Sequence, residues 1–305
     1  MTASAPATTY AIEMRGIVKR FPGVVANDGI TLQVRPGEIH ALLGENGAGK
    51  TTLMNILFGM HSPDEGEIFV NGQRVAFSGP REAVHAGLGM VHQHFMLIPR
   101  FTVTENVILG AEGPVTFLDR RTAGRRVAEI AHAYGLEINP DARVEDLSVG
   151  MQQRVEILRA LYQGSRILIL DEPTALLTPQ EVEDLYGILD RLRADGGTII
   201  FITHKLREVA AISDRVTVIR HGRTIGTLET RSATAQQLAD MMVGRGVSLT
   251  VERPPATPGE IVLEVRDLHA RGDRGHAALD IGLLQLRRGE ILGVCGVEGN
   301  GHGEL

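Results

Sequence analysis

Gly44, Glu45, Asn46, Gly47, Ala48, Gly49, Lys50, Thr51 and Thr52 spell Gly44-x-x-x-x-Gly49-Lys50-Thr51, the phosphate-loop pattern in full. Glycines let successive backbone N–H groups turn toward phosphate oxygens, and a helix starting there adds positive potential. Lys50 would reach terminal phosphates, and Thr51 would offer its hydroxyl to Mg²⁺. Further along, Ile167-Leu-Ile-Leu-Asp171-Glu172-Pro173 ends an apolar run in two acids. Asp171 suits Mg²⁺ through a bridging water, and Glu172 suits taking a proton from an attacking water. Alone, such a pair would as readily cap the following helix. With a phosphate loop upstream, the metal and water roles take precedence.

These groups must be held by a particular set of elements. The run Glu38–Leu43 opens into the loop, and Thr51–Phe58 follows with helical spacing at Leu53, Ile56 and Leu57. Similar apolar runs recur at Arg166–Leu170, Thr198–Thr203 and Arg215–Ile219, the first two separated by a helix-compatible stretch, Pro179–Arg193. Strands alternating with helices predict an α/β fold with a mainly parallel sheet covered on both faces. Acids at the end of a buried strand then sit where such sheets bind ligands. Between Phe101 and Gly164 the pattern turns helical, notably at Arg121–Tyr134 and Gly150–Leu161, which reads as a helical subdomain over about 95–165 inserted between strands.

Composition narrows the class. The chain has 305 residues, 43% of them apolar, and a net charge of −6, so there is no global basic excess to support a nucleic-acid surface. Its single cysteine, Cys295, permits neither an internal disulfide nor a multi-cysteine metal site, and a reducing setting fits. Residues 1–9 read as a frayed terminus and not as a secretory signal. No apolar run approaches the roughly 20 residues of a membrane-spanning helix. Work at a membrane would therefore require docking on another protein.

A linker is expected at 247–259, where Pro254, Pro255 and Pro258 cluster. Beyond it the chain begins again. Ile12–Arg20 resembles Leu263–Arg271, and Pro36-Gly37-Glu38-Ile39 resembles Arg288-Gly289-Glu290-Ile291. Gly289 stands 252 positions after Gly37, and Gly296 stands 252 after Gly44, so strand and loop repeat in one register. In that register His302 replaces Lys50 and Gly303 replaces Thr51. The second loop thus loses its fixed cation and its Mg²⁺ hydroxyl, and residues 260–305 are expected to carry a degenerate phosphate site.

With the loop, Leu147-Ser148-Val149-Gly150-Met151-Gln152-Gln153-Arg154 just before the acidic strand resembles the ATP-binding subunits of ABC transporters. The resemblance covers nearly all of residues 10–245 and restarts near 260. It implies a P-loop NTPase fold with a mixed central sheet, ATP and Mg²⁺ as ligands, and ATPase activity. It places Ser148 and Gly150 on the signature that closes over the opposing subunit's ATP, although Val149 and Met151 depart from the family's Leu-Ser-Gly-Gly-Gln. It likewise assigns Gln93 to Mg²⁺ and to communication with the membrane subunits, His204 to the γ-phosphate, and Phe21 to adenine. His92 and His94 flank Gln93 on an expected strand and have no third ligand nearby, so they read as polar edge residues. Ala175-Leu176-Leu177-Thr178 replaces the family's usual Ser-Ala-Leu-Asp, a variation found in importers of simple sugars and nucleosides; the signature segment looks most like the nucleoside branch.

The partners so implied are transmembrane permease subunits, a substrate-binding protein reached through them, and a second ABC domain, at the cytoplasmic face of the plasma membrane. In a head-to-tail pair, the Lys50 loop needs a signature from the other half. The chain as given should therefore bind ATP but turn it over slowly unless two copies of residues 1–245 pair. A soluble tandem ABC ATPase acting on ribosomes or DNA is the competing reading; such proteins usually keep two intact loops and carry basic insertions, neither of which is seen. A P-loop kinase would leave Gln93, Ser148 and His204 without roles.

Overall fold

Elements follow one another closely from Ile12 onward in the structure, a computed structural model that describes residues 10–93, 95–111, 120–246, 257–272, 277–296, 301 and 303–305. Two long strands, β1 (Ile12–Phe21) and β2 (Val24–Val34), lead to β3 (Ile39–Leu43), the glycine loop and helix α1 (Lys50–Leu57). After them come β4 (Glu65–Val70), β5 (Gln73–Val75), α2 (Pro80–His85) and β6 (Leu88–Val91). A helical stretch holds α3 (Val103–Ile108), α4 (Arg120–Tyr134) and α5 (Val149–Tyr162). The chain returns through β7 (Ile167–Asp171), α6 (Pro179–Ala194), β8 (Thr198–Thr203), α7 (Leu206–Ile212), β9 (Arg215–Arg220), β10 (Arg223–Glu229) and α8 (Ala235–Val243). A final hairpin pairs β11 (Ile261–Arg271) with β12 (Ala277–Arg287).

The central sheet runs β10-β9-β3-β8-β7-β6 and is mixed: β10 is antiparallel to β9, and the other pairings are parallel. Strict alternation explains its two cores. In β7 and β8, Ile167, Ile169, Ile200 and Ile202 face one cluster with α1 and the smaller sheet, while Leu168, Leu170, Ile199 and Phe201 face another with α5 and α6. Both faces being covered, the strands read as unbroken apolar runs. The smaller sheet, β2-β1-β4-β5, is antiparallel and was not separately predicted, because its strands mix exposed and buried positions irregularly.

The chain divides into two compact units, Met1–Val247 and Ser248–Leu305. Within the second, β11 and β12 pair in the register of β1 and β2: Leu263 faces Leu286 as Ile12 faces Val34, and Val265 faces Leu284 as Met14 faces Leu32. The expected frayed terminus at 1–9, most of the expected linker at 247–259, and His94 and His302 lie outside the described residues.

Candidate active site

β3 delivers the chain to Gly44, where any side chain would run into the Ile219 carbonyl at the end of β9. Gly47 and Gly49 adopt φ of 80° and 99°, the left-handed region that favours glycine. Gly49 caps α1, and a Cβ there would collide with the Ala26 carbonyl. Fully buried Asn27 donates from Nδ2 to the Gly49 carbonyl (3.0 Å), and the Gly222 N–H donates to the Ala48 carbonyl (3.1 Å). β2 and the turn after β9 therefore clamp the second half of the loop. Lys50 folds back over it, Nζ donating to the carbonyls of Gly44 (2.8 Å) and Glu45 (3.0 Å). Burial pushes the Lys50 ammonium below its usual pKa, opposed by the charges of Glu172 and Asp171.

Asp171 is buried at the end of β7, and the Thr51 hydroxyl points to its Oδ1 at 3.5 Å. Burial raises its pKa above the usual carboxylate range; the Thr51 contact opposes that shift, Glu172 adds to it, and Lys50 opposes it. Glu172 follows at φ 47°, a left-handed conformation costly for a residue with a side chain. Its N–H is fixed on the Ile202 carbonyl (3.1 Å), and its Oε1 meets His204 Nδ1 at 3.0 Å. The strain thus sits on a residue held from the neighbouring strand β8, with its carboxylate turned toward the loop after that strand.

A cavity of about 630 Å³ gathers Phe21, Asn46, Gly47, Gly49, Lys50, Thr51, Thr52, Gln93 and Glu172. Gly44, Glu45 and Ala48 do not line it: the first two bind the Lys50 ammonium with their carbonyls, and Ala48 is buried in the core. Asp171 reaches the site through Thr51, and His204 through Glu172. The Phe21 ring stands edge-on to His61, centroids 5.6 Å apart, with Lys19 Nζ 5.6 Å from its centroid. Val24, Val25, Ala26, His221 and Gly222, which no motif marks in the sequence, also line the cavity. Strand pairing brings them there, although the exposed Val24 and Val25 beside Phe21 were a visible apolar signal.

Ser148 and Gly150 do not line this cavity. Ser148 caps α5, its Oγ accepting from the Met151 N–H (3.3 Å) and approaching Glu181 Oε1 at 3.4 Å. A Cβ on Gly150 would run into that same carboxylate. Glu181 completes a capping box with Thr178 at the start of α6, so the segment in place of Ser-Ala-Leu-Asp ends in a helix cap that also touches the signature. His92 is not a strand-edge residue as expected: β6 ends at Val91, so His92 lies beyond the strand, half-buried, its ring edge-on to Phe58 at 6.4 Å.

Hard oxygen donors at Thr51 and Asp171, with Gln93 on the same cavity, fit Mg²⁺. No group of three His, Cys, Asp or Glu able to hold a metal occurs among the described residues, so an ion here would depend on oxygens of a bound phosphate or of water to complete its shell.

A family model described as ABC transporter matches residues 27–175. The chain is 51% identical over 300 residues to the nucleoside import ATP-binding protein NupA of Lactococcus lactis subsp. cremoris, covering 98% of this chain and 59% of that protein. It is also 51% identical over 323 residues to the glucose import ATP-binding protein TsgD13 of Haloferax volcanii, covering 96% of this chain and 59% of that protein. The chain thus spans less than two thirds of the length of the curated relatives it matches. Among solved structures, an ATP-binding cassette of an ABC transporter in its ADP conformation superimposes with a TM-score of 0.70 at 25% identity, covering 78% of this chain and all of that one.

Proposed function

The chain carries an ABC transporter ATP-binding domain, and from that premise we propose that it is the ATP-binding and hydrolysing subunit of an importer, coupling hydrolysis to uptake of a nucleoside or simple sugar through a membrane permease. One observation carries the reading: the phosphate loop, Gln93 and the strained Glu172 converge on a single cavity at the ends of parallel strands. No helix among the described residues is long and apolar enough to cross a membrane; in this proposal the subunit docks peripherally on permease partners at the cytoplasmic face. Residues 260–305 begin a second ABC domain that would complete the dimer in the longer protein, and a substrate-binding protein would reach it only through the permease.

In the proposed mechanism, backbone N–H groups at Gly47 and Gly49 and the start of α1 cradle the β- and γ-phosphates. Lys50 exchanges its loop carbonyls for phosphate oxygens, regaining as an ion pair what burial takes from its charged form. Thr51 and Gln93 would hold Mg²⁺ and Asp171 would hold it through water; when bound, the ion neutralises charge on the β- and γ-oxygens. Water attacks the γ-phosphorus, its proton passes to the Glu172 carboxylate, and the bond to the β-phosphate oxygen breaks with its electron pair leaving on ADP. His204, 3.0 Å from Glu172, fixes that carboxylate, and the family resemblance assigns it to the γ-phosphate. Phe21 with Val24 and Val25 forms the apolar end suited to the base.

The test is reconstitution of the full-length protein with its permease in vesicles. ATP-dependent nucleoside or sugar uptake supports the reading; ATPase activity stimulated by ribosomes or DNA, with no dependence on a permease, would overturn it.

A further inference from the structure

Bonded to the backbone segments that carry Glu172 and His204, and not lining the cavity, lies a buried carboxylate with no part in the mechanism above. Glu208, in the first turn of α7, is only 7% exposed. Its two oxygens receive one hydroxyl each: Oε1 from Thr174 and Oε2 from Thr203, both at 2.5 Å. Lys205 closes the group, Nζ lying 3.0 Å from Glu208 Oε1 and 3.2 Å from Thr174 Oγ1, while its N–H donates to Thr203 Oγ1 at 3.0 Å. Both threonines have their hydroxyl protons committed to this one carboxylate, which leaves neither free to swing elsewhere.

What the two threonines carry gives the cluster its meaning. Thr174 follows Glu172 by two residues, and Thr203 immediately precedes His204. Glu208 therefore cross-links the backbone that bears the water-activating carboxylate to the backbone that bears its histidine partner. The direct Glu172–His204 contact is partly open to solvent, the histidine side chain being 39% exposed, and could not alone hold two strand-end loops in place. A carboxylate accepting charge-assisted hydrogen bonds in a buried position is a much stiffer link.

Resting on the reading of Glu172 and His204 given above, we propose that Glu208 is a positioning residue, tying the loop after β7 to the loop after β8 so that Glu172 and His204 meet the phosphoryl group as one unit. Thr174 and Thr203 are the two points where the tie is made.

Two measurements on the full-length protein test this. In steady-state ATPase assays, Glu208→Gln should leave Mg·ATP affinity within about twofold and lower kcat about ten- to a hundredfold. Adding His204→Ala to Glu208→Gln should cost little beyond the larger single effect, because both changes disable one pair. Losses that multiply, or a change confined to KM, would overturn the proposal. In amide hydrogen exchange, which needs no turnover, Glu208→Gln should speed exchange in both 173–178 and 203–206. Faster exchange in only one segment, or in neither, would overturn the tether whatever the kinetics. A wild-type protein without ATPase activity would refute the proposed function, and the exchange experiment would still decide the tether. If Glu208→Gln fails to fold, Thr174→Val and Thr203→Val each remove one hydroxyl, and each should loosen both segments.

Discussion

The loop at Gly44 and its echo at Gly296 share a scaffold and differ in chemistry. In both copies a hairpin precedes the loop in the same register, and the same side chains decorate it: Gln33 and Arg15 bind Glu13, as Gln285 and Arg266 bind Glu264. The Arg35 N–H binds Glu38 as the Arg287 N–H binds Glu290. Gly49 and Gly301 both hold positive φ, at sites where a Cβ would strike the carbonyls of Ala26 and Ala278. Yet His302 and Gly303 occupy the positions of Lys50 and Thr51. Backbone demands and phosphate demands are thus separable: the hairpin pairs and the glycine at 301 recur although the residues in register with the cation and the metal hydroxyl are a histidine and a glycine.

The sharpest way to break this contrast is to disable the chemistry of the first copy. Glu172→Gln in the full-length protein should lower hydrolysis by about 10² to 10⁴ while ATP binding survives. Retained hydrolysis would show that another base acts, and the second copy would become a candidate for it.

Next in size is a packing test of the first hairpin. Ile12 is fully buried. Ile12→Ala should cost about 2–5 kcal/mol in denaturant unfolding; a cost below about 0.5 kcal/mol would mean that β1 contributes little to the core.

A smaller effect separates the strands that follow. His40 in β3 is wholly buried between Glu38 (2.9 Å) and Thr217 (2.8 Å), while the equivalent Leu292 carries no titratable group. Burial, partly offset by Glu38, holds the His40 pKa below the usual imidazole value. A depressed value means that the unfolded chain takes up the proton first. The stability contribution is therefore complete above about pH 6.5 and is lost as pH falls through the folded value. Melting temperature should drop below that pH, and His40→Gln should flatten the drop; an unchanged slope would remove His40 from the account.

Much of the fold was legible because its signals are local. An apolar run, six loop residues and a helical period identify β3, the loop and α1 without reference to the rest of the chain. Helix limits were off by one at α1, which begins at Lys50 and not Thr51, because Gly49 supplies the cap. The antiparallel sheet was not legible, since β1 and β2 interrupt their alternation with bulges at Gly16 and Gly29. At the site, the positions of Lys50, Thr51, Asp171 and Glu172 follow from the order of strand and loop, whereas Phe21, Gln93 and His204 needed the family resemblance. His221, Gly222 and Glu208 escaped both, because nothing short of the pairing of β9 with β3 and the packing of α7 on β8 places them beside the loop or against the segments that carry Glu172 and His204.

We propose that the Lys50 loop is the competent phosphate site of this chain. Calorimetric titration with ATP and Mg²⁺ tests it most directly: one nucleotide per chain, lost on Lys50→Ala, is the result expected. Two nucleotides per chain, or one that survives Lys50→Ala, would contradict it.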